Sequence, residues 1–273
     1  MPLSSEDIMN LAERVAIVTG AGRGLGKAIS LALEHSGSHV TLFSLSKEEL
    51  DAVAVDLKKH GRKYILHPGN VSDEYDVASA VSETMSRFGR IDILVNNAGI
   101  IGPARFIEDA TPPRWKLTLD VNLYGCYLFC REVIPYMINQ GSGKIINIIS
   151  GLGQMPFPRF CAYSVSKAGL IQLTRSLSEE LRPFNIQVNA IDPGLMDTAL
   201  GDEIRIMGPE VLGEGLYNQM MKYKEQGSLK DPSDVSDLAV YLASPVSGDM
   251  TGHIGTLNYY RSLGWTSDEP ALE

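Results

Sequence analysis

Cysteine is scarce. The chain has three, Cys126, Cys130 and Cys161, in no CxxC or Cys/His metal-ligand spacing, and a small odd number gives no basis for a disulfide framework. A reduced, cytoplasmic protein without a metal centre is the expectation. Also missing is any block of basic residues: 24 Lys and Arg stand against 33 Asp and Glu, a net charge of −9. That balance argues against a nucleic-acid surface or an anionic membrane partner. No apolar run reaches bilayer-spanning length, and the first ten residues lack the basic start and apolar core of an export signal. No internal repeat, low-complexity tract or linker interrupts the chain, so residues 1–273 are read as one domain, long enough to bury a full core.

What is present begins with RVAIVT at 14–19, a short β-branched run, followed by the glycine-rich GAGRGLG at 20–26 and a helical pattern over 27–35. Strand, glycine turn, helix is the context a phosphate-binding loop requires. Gly20 permits a tight turn, Gly24 lets backbone approach a pyrophosphate, and Gly26 allows close packing of helix on strand. A second strand over 37–44 ends at Ser44, where dinucleotide folds place an acid that binds the adenosine ribose. No acid stands among Ser44, Leu45 and Ser46, whereas Arg23 in the glycine loop suits a 2′-phosphate, so the charges lean toward NADP(H) over NAD(H).

Further on, a helix over 47–60, a strand over 63–66, a helix over 74–87 and a strand over 91–95 alternate in the rhythm of right-handed βαβ crossovers. Asn96-Asn-Ala-Gly99 can turn the chain and approach a ligand closely, or be a simple turn. A helix over 111–139 carries Asn122, an amide that is either a satisfied polar residue or a functional one. Strands over 144–149 and 185–191 follow, and a seventh is read at 255–258. The expected fold is a Rossmann-type doubly wound parallel sheet of about seven strands with helices on both faces. Residues 195–230, with Met196, Met207, Met220 and Met221, read as a substrate lid, although such methionines equally serve helix packing. The residues after Trp265 read as a frayed end.

The chain is organised around residues 150–167. Ser150 falls at a strand's carboxyl end, where open α/β sheets bind ligands, and Tyr163 and Lys167 are one helical turn apart on one face. A neighbouring ammonium favours the phenolate and should lower the phenol pKa from about 10 toward a useful acid/base range.

Taken together, TGAGRGLG at 19–26, NNAG at 96–99, Asn122, Ser150, YSVSK at 163–167 and Pro193-Gly194 resemble the short-chain dehydrogenase/reductase family over nearly the whole length. The resemblance implies a nicotinamide cofactor and reversible alcohol/ketone oxidoreduction. It implies Tyr163 as the acid/base, Ser150 as a hydrogen-bond partner of the substrate oxygen, and Lys167 as a ligand of the nicotinamide ribose. Asn122 would fix a water in a proton relay. It further places Gly20, Arg23, Gly24, Leu25 and Gly26 at the pyrophosphate, and Ser44, Asn70, Val71, Asn97, Ala98 and Gly99 around the adenosine. Pro193, Gly194 and Thr198 would edge the nicotinamide. Asn70 stands where many members carry Asp, and Leu257-Asn-Tyr-Tyr260 replaces a Val-Asp-Gly-Gly that often helps build a tetramer. The expected assembly is a homodimer or homotetramer.

The substrate wall is read as Ile100, Ile101, Ser150, Leu152, Gln154, Met155, Phe157 and Tyr163, mostly apolar, which suits a hydrophobic or cyclic alcohol or ketone. A 3-oxoacyl-carrier-protein reductase is the alternative within the class. A catalytically silent nucleotide-binding redox sensor is the alternative outside it, natural only if Tyr163 or Lys167 were missing.

Overall fold

The computed structural model describes residues 10–58 and 63–266. In chain order the elements that build the sheet are β1 (Val15–Thr19), α1 (Gly24–His35), β2 (His39–Ser44), α2 (Lys47–Leu57), β3 (Tyr64–Pro68), α3 (Glu74–Phe88) and β4 (Ile93–Asn96). Then come α4 (Pro112–Leu119), α5 (Gly125–Gln140), β5 (Gly143–Ile148), α6 (Cys161–Glu180) and β6 (Ile186–Ile191). The last part holds α7 (Ala199–Ile206), α8 (Gly208–Leu212), α9 (Glu214–Glu225), α10 (Pro232–Ala243), β7 (Ile254–Gly255) and α11 (Leu257–Ser262).

All seven strands run parallel, in the order β3-β2-β1-β4-β5-β6-β7. Strands buried on both faces read as unbroken apolar runs, and β1, VAIVT, is buried at every position. Alternation along it divides the core. Ala16 and Val18 pack with α1, α2, α10 and α11, while Ile17 packs with α3 and α5 on the other face. After β3 the chain crosses back to β4 beside β1, so the order reverses there and a crevice opens at the carboxyl ends, Thr19 and Asn96.

Local chemistry fixes the helix ends. Ser46 caps α2 through the Glu49 N–H, Asp73 caps α3 through two N–H groups, and Gly89 (φ 74°) and Gly141 (φ 66°) end α3 and α5 in the left-handed region. The helix expected over 47–60 is described to Lys58; its last two residues lie outside the described ones.

Two expectations change. The helix over 111–139 is interrupted by one turn of π-helix, Asp120–Tyr124, in which the Gly125 N–H reaches back to the Asp120 carbonyl. The seventh strand is shorter than 255–258: it ends at Gly255, because Thr256 caps α11 by accepting from the Tyr259 N–H at 3.4 Å. Trp265 is buried in the core, and the residues from 267 on, read as a frayed end, lie outside the described ones.

Within α11 Tyr260 is fully buried, its hydroxyl shared between the carbonyls of Ala190 at 3.0 Å and His253 at 2.9 Å. Tyr260→Phe removes this one donor, which the Ala190 carbonyl loses while the His253 carbonyl keeps the Ala190 N–H at 2.8 Å, and we expect a loss of about 1–3 kcal/mol in denaturant unfolding.

Candidate active site

Three glycines shape the entrance. Gly20 adopts φ 62°, and a Cβ there would come 2.9 Å from Ala98 Cα. A Cβ on Gly26 would penetrate the Gly20 carbonyl oxygen and the Asn97 amide. Gly24 (φ 53°) faces Thr198, whose hydroxyl caps α7 through the Gly201 N–H. Asn97 stitches β4 to the loop, its Nδ2 donating to the carbonyls of Thr19 at 2.9 Å and Gly20 at 3.2 Å.

From this loop a cleft of about 480 Å³ runs across the β1/β4 crevice to Tyr163 and Lys167. Along it lie Arg23, Leu25, Ser44, Asn70, Val71, Ala98, Gly99, Pro193 and Thr198, all singled out in the sequence. Gly194 flanks this wall beside Pro193, its N–H donating to Asp192 Oδ1. Asn70 uses its oxygen to accept from Ser72, so its amide NH2 is the half left for a ligand.

At the inner end Tyr163 is buried, with the Ser150 side chain near enough to its phenol to oppose the effect of burial on it. Ser150 is itself fixed by accepting from the Leu152 N–H at 3.3 Å as the cap of a short 3-10 turn, Gly151–Gly153. Lys167 is buried too, and its Nζ donates to the Ile148 carbonyl at 2.7 Å and lies 5.8 Å from the Tyr163 ring centroid. Burial therefore governs the phenol: it is pushed up to about 12, with the Ser150 side chain pulling the other way and the charge of Asp192 adding to the rise. The lowering by Lys167 expected from sequence is not among the influences on the phenol here, where burial dominates. Burial also draws Lys167 below the usual lysine range.

Asn122 sits in the π turn, fully buried. Its side chain accepts from the Ile100 N–H at 2.8 Å and donates to the Ile100 carbonyl at 2.9 Å and to Ser166 Oγ at 3.0 Å. The amide is thus a strut between α6 and the loop after β4. A Cβ on Gly99 would lie at ordinary contact distance from both groups, 3.4 Å from Asn122 Oδ1 and 3.6 Å from Lys167 Nζ, so this glycine borders the two.

Around Tyr163 an apolar cluster gathers Ile101, Phe160, Leu212 and Met220, with Leu152, Phe157 and Met207 packed against it. Leu212, Met207 and Met220 come from residues 195–230, which fold into α7, α8 and α9. The base of this segment is closed by the Asp197 N–H donating to the Lys230 carbonyl at 3.0 Å and the Lys230 N–H to the Leu195 carbonyl at 3.2 Å. Gln154 and Met155 follow the 3-10 turn and are exposed.

Sequence reasoning missed Glu49, in the first turn of α2, which lines the outer cleft. It also left Arg23 as a free cation. Arg23 is paired with Glu49 at 3.5 Å and with Glu203 of α7 at 3.2 Å.

A glycine-cradled crevice at a sheet's switch point, with a buried phenol, ammonium and hydroxyl at its inner end, defines a dinucleotide-dependent oxidoreductase site. The short chain dehydrogenase family model matches residues 14–207. The 3-oxoacyl-acyl-carrier-protein reductase of Thermotoga maritima is 33% identical over 246 residues, covering 90% of this chain and 96% of that protein. Among solved structures, levodione reductase superposes with a TM-score of 0.84 at 27% identity, covering 93% of this chain and 99% of the other. The NADH complex of the 3-ketoacyl-(acyl-carrier-protein) reductase from Brucella melitensis gives 0.80 at 29% identity, covering 91% and 98%. The chain belongs to the short-chain dehydrogenase/reductase family. It is an oxidoreductase of the kind that acts on CH–OH or keto groups with NAD(P).

Proposed function

We propose that this protein interconverts a secondary alcohol and a ketone. The observation that carries the reading is the convergence of Tyr163, Ser150 and Lys167 at the inner end of a glycine-lined cleft. The cleft's glycines leave the backbone bare where a pyrophosphate needs close approach, and the residues present fit a nicotinamide dinucleotide. When bound, that cofactor supplies or accepts the hydride.

The chain's own residues do the rest. Tyr163, protonated at neutral pH, gives its proton to the carbonyl oxygen in reduction and takes it back in oxidation. Ser150 holds the same oxygen. Lys167, already facing Ile148 at the cleft floor, holds the ribose hydroxyls of the nicotinamide half and places positive charge beside the phenol. Asn122 acts through Ile100 by fixing the wall against which the substrate rests, while its main chain is the candidate anchor for a relay water. Leu152, Phe157 and the inner face of residues 195–230 close over an apolar or cyclic substrate, with Met207 and Met220 as adaptable contacts. Gln154 and Met155 would reach only the outer rim.

The names of the Thermotoga and Brucella proteins favour a second reading, reduction of a 3-oxoacyl thioester. A silent redox sensor has no such support, since every proton-handling residue is present. Exposed Leu117, Tyr124, Tyr127 and Tyr136 on and between α4 and α5 support a homodimer or homotetramer. The free thiols of Cys126, Cys130 and Cys161 suit a reducing cytoplasm.

The test is a panel of cyclic ketones, aliphatic ketones and 3-oxoacyl thioesters, followed by absorbance of the reduced nicotinamide in both directions. Turnover of a cyclic or apolar ketone above that of thioesters is the expected result; binding without turnover across the panel would favour the sensor.

A further inference from the structure

The adenosine end of the cleft carries an arrangement that its sequence position did not announce. Ser46 caps α2 and Glu49 stands at the third position of the helix, where a glutamate ordinarily folds back onto the cap's own N–H. Here the Ser46 hydroxyl donates instead to Glu48, and the Glu49 carboxylate turns into the cleft. It lies so close to the glycine loop that a Cβ on Gly22 would be 2.8 Å from Glu49 Oε2 and 3.1 Å from Ser44 Oγ. The carboxylate and the end of β2 thus meet at one point, the place where dinucleotide folds hold the adenosine ribose. Among the described residues lining this cleft, Arg23, Glu49 and Lys167 carry charge, and Lys167 is at the far end.

We propose that Glu49 selects the nucleotide: its carboxylate accepts the ribose hydroxyls of the adenosine half and excludes a 2′-phosphate, making NAD(H) the working cofactor. The proposal rests on the dinucleotide-dependent reading above. A carboxylate is an acceptor pair suited to vicinal hydroxyls, whereas a 2′-phosphate brings about two further negative charges to the same point. Arg23 does not offset them, because its guanidinium is shared between Glu49 and Glu203. A 2′-phosphate would meet the Glu49 carboxylate with Arg23 already engaged by it, a net repulsion at short range.

The test is titration of the purified full chain with NADH and with NADPH, followed by nicotinamide fluorescence, for the wild type, Glu49→Gln and Glu203→Gln, with thermal melts confirming that each is folded. The wild type should bind NADH about tenfold or more tightly than NADPH. Glu49→Gln should weaken NADH, strengthen NADPH and bring the ratio of the two within about threefold of unity, because the repulsion is removed while one hydroxyl acceptor is kept. Glu203→Gln, which also removes one negative charge from Arg23 but does not line the cleft, should shift the ratio clearly less than Glu49→Gln does. Tighter NADPH binding by the wild type, an unchanged ratio in Glu49→Gln, or an equal shift in Glu203→Gln would overturn the assignment of Glu49 and leave the oxidoreductase reading standing. Binding of neither nucleotide would sink both.

Discussion

Tyr163→Phe should abolish most turnover while leaving nucleotide affinity within about twofold of wild type. The substitution removes one oxygen from a buried site beside Ser150, and the ring keeps its packing against Ile101, Phe160 and Leu212. Loss of a positioned acid/base slows reactions by about 10²–10⁴-fold, the range expected here for kcat. The pH dependence follows from the same group. With the phenol held up to about 12, it is protonated throughout the neutral range, so ketone reduction should be nearly flat from pH 6 to 8 as a ~neutral-range test. Alcohol oxidation needs the deprotonated form, whose fraction grows about tenfold per pH unit below the pKa, and its rate should climb with pH. Steady-state kinetics in both directions, with fluorescence titration of the cofactor, checks all three statements. Near-normal turnover by the phenylalanine variant would end the assignment of Tyr163.

Gly26→Val should be the most damaging change at the other end of the cleft. Even a Cβ at this position meets the Gly20 carbonyl oxygen and the Asn97 amide, both of them fixed parts of the loop. A branched side chain must either push the glycine loop off β4 or tilt α1 away from β1, and overpacking of this kind costs about 1–3 kcal/mol or more. Nucleotide affinity is expected to fall by at least about 100-fold, since backbone approach to the pyrophosphate is lost together with the Asn97 bonds. A melt and a titration on the same preparation separate the loss of stability from the loss of binding. Wild-type affinity in a folded variant would show that the loop is not the pyrophosphate cradle.

Much of the fold could be read in the chain because its signals are local. Runs such as VAIVT, doubly buried, announce parallel strands, and the glycine loop announces the first turn. The Tyr163 and Lys167 spacing needs only the helical repeat to place both side chains at one site. What escaped depended on distant contacts. The π turn around Asn122 has no composition of its own, and its amide is engaged by Ile100, far off in sequence. Glu49 looks like an ordinary helix-start acid until α2 is docked against Gly22. The outward turn of Gln154 and Met155 follows from the 3-10 turn that Ser150 caps, a matter of backbone direction rather than residue type. The pKa of Tyr163 also follows from packing: burial raises it by more than the neighbouring Ser150 side chain lowers it.

The paired backbone bonds that join Leu195 and Asp197 to Lys230 have an evolutionary reach beyond this site. They tether the two ends of the segment carrying α7 to α9, so its interior can grow or shrink without moving β6 or α10. Doubling the length of a flexible loop adds only about 0.6 kcal/mol to its closure entropy. New substrate preferences can therefore be grafted between those tethers at small thermodynamic penalty, while the hydride-transfer machinery below is inherited unchanged.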